Sequence, residues 1–399
     1  MTVRARGRLG PGVAFWIVGA TFAVVMAFST VPTPLWPLYQ RADGFSTVMV
    51  TVAFSAYAVG VLIALFLAGH VSDWVGRRTA LVPAVVLELV SAGLFLASHE
   101  LWVLLIARTI CGLGVGMTTA TATAYLAELH ERDRPGSRSP RPGHVATGAN
   151  LGGLGAGALV SGVIAQVFPG PLTTTYAVFT GLLCLCLVAL AVVPETVPTS
   201  RGWRYRPQTV IVPAGARARY AVVAAAAFVA FALFGLFTSL GPKILTDALG
   251  VSSLASTGAL AAAVFVCAVL GQLATGSWAA PRQVTVGLGL LFVGLALIVL
   301  AGVTGTALWF AAGGTIGGAG AGITFKGATQ TAGALADPAH RGESLAGIFL
   351  TAYVGIFVPV VGLGATAQAI ALEAAVATFA GVLLACLVAI GVAARRTLR

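Results

Sequence analysis

Twelve long apolar stretches separated by short polar breaks organise this chain, at approximately 13–38, 46–68, 80–98, 101–126, 143–168, 172–193, 219–242, 252–277, 283–303, 307–334, 344–369 and 372–394. A helix needs about 20 mostly apolar residues to cross a bilayer. The stretches are continuously apolar and do not alternate, so they predict spanning helices and not the strands of a membrane barrel. The longest polar break after the fourth stretch is 194–218, with Pro194, Pro198, Pro207, Pro213 and four arginines, and a fifth, Arg219, just beyond it. It divides the chain into an N-terminal six-helix bundle (1–198), a central loop (199–218) and a C-terminal six-helix bundle (219–399). The predicted fold class is all-α integral membrane, with twelve transmembrane helices in two halves.

Composition sharpens this reading. Of the 399 residues, 58% are apolar and only 9% are charged, against about 25% charged in a soluble domain. The missing solvent face must be lipid. The net charge of +11 therefore does not point to nucleic acid. With Arg4, Arg6 and Arg8 placed inside, 19 of the 23 basic residues fall on the cytoplasmic side and only Arg41 and Lys243 outside, as the positive-inside rule requires. Both termini are expected to be cytoplasmic, in the cell membrane. The first apolar run is longer than a signal-peptide core and reads as the first helix. The five cysteines lie in apolar helices without metal-site spacing and imply neither disulfide nor metal. No cofactor is expected.

An internal repeat supports the division. Ile110-Cys-Gly112-Leu-Gly114-Val-Gly116-Met-Thr118 in helix 4 and Ile316-Gly-Gly318-Ala-Gly320-Ala-Gly322-Ile-Thr324 in helix 10 match with every anchor displaced by 206 residues. Parallel repeats of this kind occur in transporters, with the binding site between the halves near the bilayer midplane. These glycines follow no strand and lack a phosphate-loop lysine, so they read as close helix packing.

Between helices 2 and 3 stands Gly69-His-Val-Ser-Asp73-Trp-Val-Gly76-Arg77-Arg78. Glycines permit a tight turn, Asp73 suits an exposed helix N-terminus, and the arginines suit carboxylates or lipid phosphates. The segment resembles the signature of the major facilitator superfamily. The resemblance implies a conformational latch made by Gly69, Asp73, Gly76, Arg77 and Arg78, joining the halves on the cytoplasmic face, with Asp73 stabilising the outward-open state. The alternative is that the arginines only fix topology. The same resemblance extends to Arg108-Thr-Ile-Cys111-Gly112-Leu-Gly114, where Cys111 stands at a Gln-like position, and to Pro194-Glu195-Thr196 at the central boundary. In helix 5, Gly153, Gly157 and Gly162 resemble the glycine element of proton-coupled exporters, but Ala158 and Ser161 replace its proline and one glycine.

Ionisable residues inside spans are expensive and are functional candidates by default. Glu88 and Arg108 fall at similar depths and are expected to pair, either as a proton-coupling switch or as a permanent structural ion pair. Lys326 either holds an anionic substrate group or snorkels towards the interface. By resemblance, helices 1, 4, 7 and 10 line a substrate cavity. The candidates are Thr21 and Ser29 on helix 1, Thr118 and Thr119 on helix 4, Phe234 and Thr238 on helix 7, and Lys326. The stripe Phe228, Phe231, Phe234, Phe237 fits either a greasy substrate or a packing face. Pro32, Pro34 and Pro37 break the outer end of helix 1, where a gate can sit.

These features predict a secondary active transporter and not an enzyme. The leading expectation is proton-coupled export of small apolar compounds by alternating access. The alternative is an uptake permease or facilitator for a small polar metabolite or organic anion. The expected partners are a small-molecule substrate, protons and the lipid bilayer, with no nucleic acid, and the protein is expected to act as a monomer.

Overall fold

The computed structural model describes residues 9–197, 207–212, 215–337 and 340–397. Arg4, Arg6, Arg8, Pro198, Pro213, Arg201, Arg204, Arg206 and the final residue of the expected basic C-terminus lie outside them. The described residues form helices and connecting loops, without strands. The long helices are α1 (Pro11–Asp43), α2 (Thr47–Ala68), α3 (Arg77–Ala97), α4 (Leu101–Asp133), α5 (Arg141–Val167), α6 (Pro171–Leu190), α7 (Arg217–Ser239), α8 (Leu254–Ala274), α9 (Ala280–Thr304), α10 (Ala307–Leu335), α11 (Arg341–Ala369) and α12 (Leu372–Thr397).

Eleven of the twelve are both long and apolar enough to cross a membrane. The exception is α10, 29 residues long and rich in glycine and threonine. Those residues give it little hydropathy, but they let it pack closely against α7, α8 and α9. With twelve crossings, the start of α1 and the end of α12 share one side of the bundle, here called the terminal side. The opposite side is the far side.

Helices α1–α6 pack among themselves, as do α7–α12. The halves meet along α2 with α11 and along α5 with α8. The glycine repeat explains how each half is knitted. A Cβ on Gly112 would strike the backbone of α2, where the Gly60 Cα lies 3.0 Å away. One on Gly114 would lie 2.9 Å from the Ala84 carbonyl of α3, and one on Gly116 would meet the Val61 carbonyl of α2 at 2.9 Å. In the second half, Gly318 and Gly322 abut α8 at Val264 and Ala268, while Gly320 meets Leu291 and Gly287 of α9. Equivalent glycines thus serve equivalent neighbours, which gives the 206-residue offset a structural meaning.

Helix α1 does not run straight. It is α-helical to Thr30, passes through one 3-10 turn at Thr33–Leu35, and resumes at Trp36–Asp43. The prolines expected to break this end interrupt the hydrogen-bond ladder there, and Val31, Leu35, Trp36 and Tyr39 are buried. Helix α5 contains a π-turn at Gly148–Gly152. Helix α7 starts at Arg217, slightly before the expected boundary. Residues 207–212 of the central loop run between the two halves. The Gln208 amide donates to the Phe66 carbonyl of α2 at 2.8 Å, and the Thr209 hydroxyl donates to Glu343 of α11 at 2.5 Å.

Candidate functional site

One large cavity of about 530 Å³ lies between the halves. Its walls come from α1, α2, α4 and α5 on one side and α7, α8, α10 and α11 on the other. Towards the terminal side it reaches His144 at the start of α5, Gln272 near the end of α8, Gln330 late in α10 and Leu345 early in α11. Towards the far side it ends at Thr33 and Thr238. There the Thr33 hydroxyl donates to the Thr238 carbonyl at 3.0 Å, joining the two halves in a buried contact. Farther along the same side, Gly364 of α11 sits against Thr51 of α2, and Gly162 of α5 sits against Gly258 of α8, whose Cα a Cβ on Gly162 would meet at 3.3 Å. The cavity is therefore closed on the far side and reaches the terminal side.

The sequence-predicted cavity residues divide. Ser29, Thr119, Phe234, Thr238 and Lys326 line the cavity. Thr21 and Thr118 do not. Thr21 is buried, with its hydroxyl interacting with Cys186 of α6, and Thr118 is buried on a packed face of α4. A position on the right helix does not fix the face it presents. The phenylalanine stripe also divides. Phe231 and Phe234 face the cavity, whereas Phe237 packs on Phe310 at 4.8 Å between ring centres. Sequence reasoning missed Phe54, Tyr57, Asn150, Phe265, Gln272 and Tyr353, all of which line the cavity. Asn150 and Gln272 were findable as amides inside apolar runs. The aromatics gave no signal that separates a lining face from a packing face.

The expected Glu88–Arg108 ion pair is not formed. Arg108 is 2% exposed and turns towards α1 and α2, where one guanidinium nitrogen donates to the Ser29 carbonyl at 2.7 Å and the group lies 4.5 Å from the Tyr57 ring centre. Glu88 is fully buried on the other side of α4, against Gly114 and the Cys111 thiol, and no N–H or O–H group donates to its carboxylate. Shared depth predicted the pair, but rotation about α4 separates it: Arg108 points to the cavity and Gly114 faces α3.

The α2–α3 loop forms a dense polar knot within the first half. Arg77 binds Asp73, donates to the Ser72 hydroxyl at 2.8 Å, and reaches Glu128 of α4 at 2.7 and 3.0 Å. Glu195 accepts the backbone N–H groups of Arg77, Arg78 and Thr79 at 2.7, 3.0 and 3.3 Å. These are orphan donors at the first turn of α3, where the helix dipole favours a carboxylate. Gly76 has φ +106°, and a Cβ there would come 2.8 Å from the Glu195 carboxyl carbon, so only glycine suits the turn. Arg78 donates to the Ala191 and Val193 carbonyls at the end of α6. Gly69 leads into the turn. All of these contacts stay within the first half, and the Asp73 side chain is 53% exposed.

The helix-5 glycines lie against neighbouring helices. A Cβ on Gly153 would lie 2.6 Å from the Ala23 carbonyl of α1, one on Gly157 would strike Ala27 of α1, and one on Gly162 would lie 2.6 Å from the Leu254 carbonyl of α8. Helix α5 thus joins the first half to the second.

Two helical bundles around one cavity, closed at one end, form the architecture of a membrane transporter. A family profile described as the Major Facilitator Superfamily matches residues 17–359. The chain belongs to that superfamily, whose members are transporters and not enzymes. It is similar to a probable inositol transporter 3 of Arabidopsis thaliana, 27% identical over 158 residues, which make up 39% of this chain and 25% of the relative. It is also similar to a D-xylose transporter of Levilactobacillus brevis, 36% identical over 85 residues, 21% of this chain and 19% of that protein. Both matches span well under half of the relatives' lengths. The fold is similar to that of a point mutant of the nucleoside transporter NupG, with TM-score 0.73, 10% identity, and coverage of 97% of this chain and 100% of that one.

Proposed function

We propose that this protein takes up a small polar metabolite or organic anion across the cell membrane by alternating access, driven by protons, and that the structure is an inward-facing state. The carrying observation is the cavity between the halves, sealed on the far side by Thr33 and Thr238. The excess of arginine on the terminal side makes that side cytoplasmic by the positive-inside rule, so the cavity opens inward. Hydroxyls and amides at Ser29, Thr119, Thr123, Asn150, Gln272 and Gln330 suit a polar substrate. The relatives described as inositol and D-xylose transporters support uptake over drug export.

Glu88 is the candidate proton site. A buried carboxyl whose side-chain neighbour is only a weak thiol donor is expensive as an anion, and its place against α4 couples its charge to helix packing. In the outward-facing state the loop at Asp73 and Arg77 latches the cytoplasmic ends of the halves. In this state the Arg77 guanidinium is held by Asp73 and Glu128 within the first half instead.

The second reading is export of small apolar compounds. Phe54, Phe231, Phe234, Phe265, Phe325 and Phe349 on the cavity wall favour it. The missing proline in the helix-5 element counts against it. The test is uptake of labelled D-xylose and myo-inositol into proteoliposomes under an imposed proton gradient, beside efflux of a lipophilic dye from cells. Protonophore-sensitive uptake supports the permease reading. Dye efflux without uptake replaces it with the exporter.

A further inference from the structure

The cavity wall carries two cations, Arg108 and Lys326, and no Asp or Glu. Neither cation has a carboxylate within ion-pair distance among the described residues. Glu88, the acid expected beside Arg108, lies behind α4 against the Cys111 thiol and forms no ion pair with Arg108. Arg108 is almost wholly buried, yet its Nε has no hydrogen-bond partner, while one terminal nitrogen is held by the Ser29 carbonyl. A buried guanidinium is normally paired, and its fork matches a carboxylate or phosphate. The described residues thus provide an anchored, desolvated, partly unsatisfied cation on a cavity wall, with no carboxylate in ion-pair contact with it.

The two cations differ in depth. Arg108 is the eighth residue of α4 from its far end. The 206-residue offset makes it level with Gly314 of α10, so Lys326 lies twelve residues further towards the terminal side, about 18 Å at the rise of a helix. Arg108 sits just beneath the Thr33–Thr238 closure, and Lys326 nearer the opening. The Lys326 ammonium donates to the Gln272 carbonyl at 2.6 Å and is half-buried. One small substrate cannot bridge both, but it can pass from one to the other. Between them stand Phe231, Phe234, Phe265 and Tyr353, a wall suited to an apolar or aromatic body.

We propose that the substrate is an organic anion with an aromatic or bulky apolar body, its anionic group bound by Arg108 at the closed end. Lys326 is the outer cation that draws the anion along the cavity. This inference rests on the transporter reading and narrows its substrate class. The charge recognises the head group and the aromatic wall recognises the body, which accounts for a cavity that is both cationic and greasy. A neutral sugar would leave both cations without a counter-ion.

The test uses the purified full chain with benzoate, phenylacetate and 4-phenylbutyrate, each beside its neutral amide, and with D-xylose and myo-inositol. Binding is read as thermal stabilisation against concentration. At least one acid should bind about tenfold or more tightly than its amide, the loss expected when a charged hydrogen bond is removed. Arg108→Gln should erase that preference. If Arg108→Gln does not fold, Arg108→Lys should keep the charge but bind the acid more weakly. Lys326→Gln should slow association and flatten its salt dependence while leaving Arg108-dependent binding in place. If no acid outperforms its amide, or if the preference survives in Arg108→Gln or is undiminished in Arg108→Lys, the proposal is overturned. Binding of D-xylose or myo-inositol alone also overturns it and leaves the transporter reading standing. An acid that binds but shows no solute counterflow in proteoliposomes upholds the anion site and removes the transporter reading.

Discussion

Glu195 lies beneath the first turn of α3 and accepts the backbone N–H of Arg77 at 2.7 Å. With Arg78 and Thr79 it satisfies three orphan donors of that helix. It therefore ties the end of the sixth helix to the start of the third, and leaves the Arg77 side chain free to bind Asp73 and Glu128. A lone charge in the central boundary is thus part of the loop's machinery.

Glu195→Ala should loosen this knot. Loss of an N-terminal carboxylate cap costs about 0.5–2 kcal/mol. The expected outcome is a lower unfolding temperature of the purified protein, with Glu195→Gln intermediate because it keeps an acceptor. Equal stability of all three proteins would show that water replaces the cap.

The latch reading concerns the state not seen here. Asp73→Asn should slow substrate turnover while the amount of protein in the membrane is unchanged, measured as initial uptake rate per molecule. Normal turnover would confine the loop to a topological role.

The separation of Glu88 from Arg108 changes what exchange mutants should do. Glu88→Gln should remove the pH dependence of transport. The double exchange Glu88→Arg with Arg108→Glu should not rescue activity, because the two side chains lie on different sides of α4. Restored transport in the double exchange would mean that the groups meet in another state.

Glycine packing gives a stability prediction with an internal control. Gly114→Ala and Gly320→Ala place a Cβ within 3.0 Å of α3 and α9 backbone atoms, respectively. Overpacking of this kind costs about 1–3 kcal/mol. Gly93→Ala meets no heavy atom within 4 Å and should be neutral or slightly stabilising. Chemical or thermal unfolding in detergent compares the three.

Much of this architecture was legible in the sequence because lipid imposes a simple rule on length and polarity. Even α10, below the hydropathy of the other spans, was legible through its glycine repeat. Site residues were less legible. Ser29 and Thr119 face the cavity while Thr21 and Thr118 do not, and Thr118 and Thr119 are neighbours in sequence. Their fate depends on the rotation of α1 and α4, which packing against other helices sets. The Glu88–Arg108 expectation failed for the same reason: depth follows from residue counting, whereas facing direction does not. The docking of 207–212 between α2 and α11 went unread: Val210-Ile211-Val212 is apolar and Val210 lies against Gly347 of α11, but three residues are too short a run to stand out beside the spans.

The central claim is that the two halves exchange which side of the cavity is closed, and it can be tested without knowing the substrate. Spin labels at Glu131 and Thr285 report the terminal side, and labels at Glu100 and Thr304 the far side, after replacement of the exposed Cys184 and Cys386. Thr33→Val removes the far-side hydrogen bond, worth about 0.5–1.5 kcal/mol, and so should shift the equilibrium. Alternating access predicts two distance populations at each end. In Thr33→Val, the population with a shorter terminal distance and a longer far distance should grow together at both ends. A single unchanged distance at each end, in both proteins and across pH, would contradict the account.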